Sequence, residues 1–189
     1  HAHYYPGAKV ILVKMVADAK TRKVLGVQVV GPGEAAKRVD VIATALGFGA
    51  TVEDVANLDL GYAPPYSGAL DNIIHAANIL RNKLDGLAHT LSPLEVKAKM
   101  DAGETFVLLD VRGPAEYEAM RIEDERVRLI PLGKLRASLG DLPQDAEIIP
   151  FCKISLRGYE AQCILEGAGY KNVRFMDGGV VGWPYEVVQ

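Results

Sequence analysis

Phe151-Cys152-Lys153-Ile154-Ser155-Leu156-Arg157-Gly158-Tyr159 is the stretch on which the reading of this chain turns. The apolar run Ile148 to Phe151 leads into it, and a helical pattern with Ala161, Ile164, Leu165 and Ala168 on one face leads out. Cys152 is therefore expected where a strand hands over to a helix. At such a junction the loop N–H groups and the positive end of the helix dipole point at the sulfur, and Lys153 and Arg157 add full charges. Each of these favours thiolate over thiol, which makes Cys152 a candidate nucleophile and Arg157 its electrostatic partner.

Spacing narrows the chemistry. Cys152 and Arg157 bracket four residues, one fewer than the Cys-x5-Arg loop of cysteine phosphatases, and a tighter ring suits a sulfur carried on the cysteine better than a tetrahedral phosphate. The loop resembles that of rhodanese (thiosulfate sulfurtransferase) domains, with Leu109-Asp110-Val111-Arg112 and Glu116-Tyr117 upstream and Asp177-Gly178-Gly179 and Trp183 downstream. The resemblance implies a persulfide-forming sulfurtransferase. Cys152 would take sulfur from a small sulfane-sulfur donor and pass it to a thiol acceptor, with Arg157 steadying the loop and the developing charge. Lys153, Ile154, Ser155 and Leu156 would form the substrate loop, braced by Asp110 and Arg112. Three departures stand out: Met120-Arg121-Ile122-Glu123-Asp124-Glu125 replaces a Gly-His-Ile-Pro-Gly-Ala type turn and makes that wall more acidic, Pro150 sits inside the strand before the cysteine, and Ser155 takes the place of a common glycine. A cysteine phosphatase or arsenate reductase-like activity, and a non-catalytic interaction module, stay open as alternatives.

Upstream, Lys9–Val16 and Lys23–Val30 read as an antiparallel hairpin, followed by a helix with Ala35, Val39, Ile42 and Leu46 inward. Thr51-Val52-Glu53-Asp54 opens a short helix with a capping box, and Asp71–Leu84 is a third helix with Ile73, Ile74, Ala77, Leu80 and Leu84 inward. Gly31-Pro32-Gly33-Glu34-Ala35-Ala36 matches the G-x-G-x-x-A dinucleotide fingerprint in letters. The preceding strand is half of a hairpin and no strand returns after the helix, so it reads as a plain turn.

His1-Ala2-His3-Tyr4-Tyr5-Pro6-Gly7, Lys37–Ala45 and Tyr62-Ala63-Pro64-Pro65-Tyr66-Ser67 together resemble the C-terminal dimerisation domain of flavin-dependent pyridine nucleotide-disulfide oxidoreductases. The branch is that of coenzyme A-disulfide reductases, including members fused to a rhodanese domain. In that family two tyrosines reach across a homodimer toward the partner's flavin and thiol site. Tyr4 and Tyr62 match them by position, with Tyr5 and Tyr66 as the neighbouring alternatives. Leu70 stands where the family often has Lys. The resemblance implies FAD, NAD(P)H and coenzyme A for a longer protein, none of them bound by this fragment itself, and coenzyme A disulfide, coenzyme A persulfide or polysulfide as substrate.

The expected organisation is an α+β dimerisation domain at 1–86, an antiparallel hairpin with helices, followed by an α/β rhodanese-like domain with a parallel sheet at 87–189. Leu91-Ser92-Pro93-Leu94-Glu95-Val96 marks the start of the second: Ser92 caps, Pro93 suits the first helical position, Glu95 reaches back and Leu91 staples to Val96. The 189 residues, 49% hydrophobic, suffice for two cores. A net charge of −3, from 21 basic and 24 acidic residues without a basic cluster, excludes a nucleic-acid partner. No apolar run suggests a membrane span. Two cysteines without a framework spacing suit a reducing cytoplasm, with Cys163 expected as a small core residue. All four histidines precede the Cys152 loop, so neither a Cys-His dyad nor a metal site is expected there, and a start at His1 suggests a piece of a longer chain.

Overall fold

The computed structural model describes residues 6–63 and 67–189, which form two compact units, His1–Leu87 and Ala88–Gln189. In the first, β1 (Leu12–Ala17) and β2 (Val24–Val30) pair antiparallel with Leu12 opposite Val30 and Val16 opposite Gly26. The turn between them is held by Asp18, whose carboxylate accepts from Lys20 and Thr21 N–H. Helices α1 (Ala35–Gly47), α2 (Val52–Ala56) and α3 (Asn72–Leu84) follow, and Val24, Ile42, Val52, Val55, Ile73, Ile74 and Ala77 make the core. Helix α2 starts with the expected capping box, Thr51 and Asp54 bonding each other's backbone N–H.

On α1 the expected face holds for Ile42 and Leu46 but not for Val39. Val39 is exposed, and Arg38 is buried instead. Its guanidinium bonds the Asp71 carboxylate at 3.1 and 2.8 Å and the Glu34 carbonyl at 2.9 Å, while Asp71 also caps α3 through Ile73 N–H. A buried pair with satisfied hydrogen bonds thus ties α1 to α3, a pairing that apolar periodicity does not register. Gly31 ends β2 at φ +143°, and a Cβ there would sit 2.5 Å from the Val10 carbonyl oxygen. The glycine serves a tight turn, and β2 has β1 alone as its strand partner among the described residues, as the plain-turn reading requires.

The second unit is α/β. Strands β4 (Val107–Asp110), β5 (Val127–Leu129) and β6 (Ile148–Phe151) form a parallel sheet in the order β5-β4-β6, and β3 (Thr90–Leu91) pairs parallel with β7 (Phe175–Met176). Helices α4 (Pro93–Asp101), α5 (Pro114–Ala119), α6 (Leu132–Leu135) and α7 (Leu156–Gly167) connect them, and the Ser92–Glu95 capping box opens α4. Successive strand residues serve opposite faces, as the two-residue repeat dictates. Val107, Leu109, Val111 and Ile148 pack with Leu135, Ala161 and Leu165 on one face; Leu108, Ile149 and Phe151 pack with Leu91, Val96, Met176 and Trp183 on the other. On α7 the expected face holds for Ala161 and Leu165, whereas Ala168 is the exposed C-cap.

Pro150 is accommodated by register. Ile148 bonds the 172–174 segment, donating to the Asn172 carbonyl at 2.9 Å and accepting from Arg174 N–H at 3.2 Å. Pro150, two residues on, faces the same side, so its missing N–H ends that ladder. The β4 side stays intact, with Val107 N–H on the Glu147 carbonyl and Val111 N–H on the Phe151 carbonyl at 2.9 and 3.0 Å. Among the described residues no helix is long and apolar enough to cross a membrane.

Candidate active site

The Cys152 loop leaves β6 at its C-terminal end and enters α7 at its N-terminal end. Two hydrogen bonds fix its backbone from outside: Val180 N–H donates to the Cys152 carbonyl at 2.9 Å and Val181 N–H to the Lys153 carbonyl at 3.1 Å. A trans peptide places its N–H opposite its C=O, so the amides of Lys153 and Ile154 are turned away from the 180–181 segment. Those two and the Ser155 N–H donate to no other group among the described residues. With the dipole of α7 behind them, they form a set of unspent donors suited to an anion.

Gly179 is what lets the 179–181 segment come this close. At φ +56° a Cβ there would lie 2.3 Å from the Cys152 carbonyl oxygen and 2.7 Å from the Lys153 carbonyl carbon. Ser155 closes the other end: its hydroxyl donates to Asp177 Oδ1 at 2.8 Å and accepts from Gly178 N–H at 2.9 Å. The serine that replaces a common glycine therefore acts as a clamp on the 177–178 turn.

Arg157 and Cys152 are brought close enough for Cys152 to be among the lesser influences that raise Arg157, after Glu116. The stronger partner of Arg157 is Glu116 on α5, bound bidentately at 2.7 and 2.8 Å. That pair, with help from Gly113 N–H, pulls the Glu116 carboxyl down to about 2 and raises Arg157 further above its ordinary range. Sequence reading quoted Glu116 and Asp177 without a role for either. The Pro114-x-Glu116 helix start was visible, but a partner 41 residues away was not.

Asp110 and Arg112 lie one step further out. Arg112, 2% exposed, grips the Asp110 carboxylate with Nε at 2.9 Å and NH2 at 2.6 Å, and its remaining donors bond the Glu116 and Met120 carbonyls at 3.1 and 2.8 Å. The bonds of this pair reach α5, and α5 carries Glu116 to Arg157.

Cys152 itself is 1% exposed, at the floor of the loop and in contact with the face of the core that holds Val111 and Ala161. Ile154, Leu156 and Lys153 stand exposed above it. Cys163 is exposed on α7, not the core residue expected. The acidic turn points elsewhere: Glu123 and Asp124 line a hollow of about 230 Å³ with Trp183, Tyr185 and Glu186. In the first unit Tyr62 is 57% exposed, and the Ser67 hydroxyl donates to the Gly61 carbonyl at 2.7 Å beside it. Tyr4, Tyr5 and Tyr66 lie outside the described residues.

Residues 1–74 match the profile of the pyridine nucleotide-disulphide oxidoreductase dimerisation domain, and residues 92–185 that of the rhodanese-like domain. Among solved structures, a NAD-dependent persulfide reductase from A. fulgidus is 45% identical, covering 96% of this chain and 32% of its own, with a TM-score of 0.84. The reduced CoADR-RHD of Bacillus anthracis is 37% identical over 97% of this chain and 32% of its own, with a TM-score of 0.88. The NAD(P)H sulfur oxidoreductase (CoA-dependent) of Pyrococcus furiosus is 43% identical over 79 residues, 42% of this chain and 18% of that protein. The chain spans 24% of a probable adenylyltransferase/sulfurtransferase MoeZ of Mycobacterium tuberculosis and 18% of the Pyrococcus protein. It joins two families: its first part belongs to the pyridine nucleotide-disulphide oxidoreductase dimerisation domains, and its second to the rhodanese-like domains.

Proposed function

We propose that residues 87–189 are a sulfurtransferase domain in which Cys152 carries sulfur as a persulfide. The thiolate attacks the outer sulfur of a donor, the donor's S–S bond breaks, and the donor leaves as its own thiolate. A second thiol then attacks the outer sulfur of the Cys152 persulfide and carries it away. The observation that supports this most is the loop's set of unspent amides, Lys153, Ile154 and Ser155, ahead of the α7 dipole, with Arg157 beside the sulfur. Arg157 is the electrostatic partner, and Asp110 and Arg112 position it through α5. The bidentate Glu116 offsets the charge of Arg157 that a phosphate dianion would need, which counts against the phosphatase alternative.

Residues 1–86 are, in this reading, the dimerisation part of a longer homodimeric reductase that uses FAD and NAD(P)H and acts on coenzyme A disulfide, coenzyme A persulfide or polysulfide. The CoA- and persulfide-related names of the similar proteins support it. Tyr62 and Tyr4 would serve its thiol site across the dimer, and two free cysteines suit a cytoplasmic setting. The test is incubation with polysulfide, thiosulfate and an alkyl persulfide in turn, followed by intact mass. One added sulfur on Cys152, lost in Cys152→Ser, is expected; no added sulfur from any of the three overturns the proposal.

A further inference from the structure

We infer that the Cys152 loop is built for a persulfide carried on an uncharged apolar arm and discriminates against thiosulfate, with Ile154, Leu156 and Val181 as the specificity-determining side chains. This rests on the sulfur-transfer reading above and names its donor class.

Two observations carry it. The first is charge. A loop meant for thiosulfate needs positive charge left over for the sulfite group, which departs as a dianion. Here Arg157 is held bidentately by Glu116, and Asp177 faces the loop through Ser155. Lys153 and Arg157 are therefore balanced by Glu116 and Asp177 before the sulfur is ionised, and the exposed Lys153 is a solvated point charge on a flexible stem. The amides cradle one small anion, the sulfur on Cys152, and within the loop the exposed Lys153 is the cation left to meet a dianionic leaving group.

The second is the rim. Ile154, Leu156 and Val181 are 59%, 64% and 58% exposed, and they border the loop together: Ile154 and Leu156 belong to it, and Val181 is bonded to the Lys153 carbonyl. Three large apolar side chains left in water around a buried sulfur gain when an apolar arm covers them. The step balances without an oxidant or reductant. Cys152–S⁻ attacks the outer sulfur of R–S–SH, a new S–S bond forms to Cys152 as the donor's S–S bond breaks, R–S⁻ leaves, and the proton stays on the new persulfide.

The test compares loading of Cys152 from butyl persulfide, from mercaptosuccinate persulfide with its two carboxylates, and from thiosulfate, by intact mass over time in the full chain. Butyl persulfide is expected to show a KM on the order of tenfold below the others, the worth of partly covering such side chains. The triple variant Ile154→Ser, Leu156→Ser, Val181→Ser, at exposed positions, should raise the KM for butyl persulfide several times more than that for thiosulfate. Glu116→Gln, which frees the charge of Arg157, should shift the ratio toward thiosulfate. Equal loading from all three donors, an equal effect of the rim variant on all, or an unchanged ratio in Glu116→Gln refutes the inference while leaving sulfur transfer standing. Loading from none of them refutes the transfer reading itself.

Discussion

Gly179→Ala tests whether the loop's shape depends on the close approach of the 179–181 segment. Two costs add. An L-residue at φ +56° sits in the left-handed region, which costs about 1–2 kcal/mol. The new Cβ would also fall 2.3 Å from the Cys152 carbonyl oxygen and 2.8 Å from the Ile154 nitrogen, backbone atoms that cannot swing aside as a side-chain tip can. Forcing such a contact open costs a further ~1–3 kcal/mol. Gly103→Ala is the control, because Gly103 has φ +69° and nothing within 4 Å of a built Cβ, so it carries the conformational cost alone. The chain has one tryptophan, Trp183, buried in the second unit, so its fluorescence in a urea titration reports on that unit's unfolding. Gly179→Ala should be less stable than Gly103→Ala by about 1–3 kcal/mol, and it should load sulfur on Cys152 more slowly, whereas Gly103→Ala should load at the native rate. Equal stability of the two variants, together with native loading in Gly179→Ala, would show that the contact does not shape the loop.

Removing Glu116 by Glu116→Gln should cost about 1 kcal/mol at pH 7, since the pair is bidentate but its side chains are 39% and 33% exposed and solvent screens them. The carboxyl is lowered from an ordinary 4.5 to about 2, so that stabilisation is complete above pH 4.5 and fades as pH falls through about 2; urea titrations at pH 7, 4 and 2.5 should show the gap between native and variant closing. Arg112→Met leaves Asp110, 0% exposed, charged without its partner, and should destabilise the second unit by about 3–5 kcal/mol in the same fluorescence titration. Arg38→Met should do the equivalent to the first unit by stranding Asp71, 4% exposed, and far-UV circular dichroism should lose its helical signal at lower urea; an unchanged midpoint would count against a structural role for the pair.

Local rules carried much of the fold. The Thr51 and Ser92 caps, the hairpin, β6 and the strand-to-helix placement of Cys152 all depend on residues within a few positions of one another, where propensity and capping act. Apolar periodicity placed Ile42 and Leu46 of α1 correctly and failed at Val39, because it scores Val39 as core and Arg38 as surface. A guanidinium with three satisfied contacts reverses that order, and only Asp71, 33 residues on, makes burial tolerable. Cys163 failed for the opposite reason: cysteine is often buried, but its side of α7 meets solvent.

At the site, the limit of sequence reading falls between the loop and its supports. Within the loop, Lys153 and Arg157 read as two cations around a sulfur, and a strongly positive cradle is the natural expectation. In the fold, Glu116 reaches Arg157 from 41 residues upstream, and Asp177 reaches Ser155 from 22 residues downstream. These separations leave no periodic trace, because what fixes them is the parallel order of β4 and β6 and the turn after β7. Two cations of the loop thus face two carboxylates brought in from elsewhere in the chain, while its backbone amides stay unspent. Amides are fixed by chain path and survive most side-chain substitutions, whereas the balance among Lys153, Arg157, Glu116 and Asp177 can be tipped by one residue. On the proposed reading, the backbone would hold an anionic sulfur and the side chains around it would choose the donor.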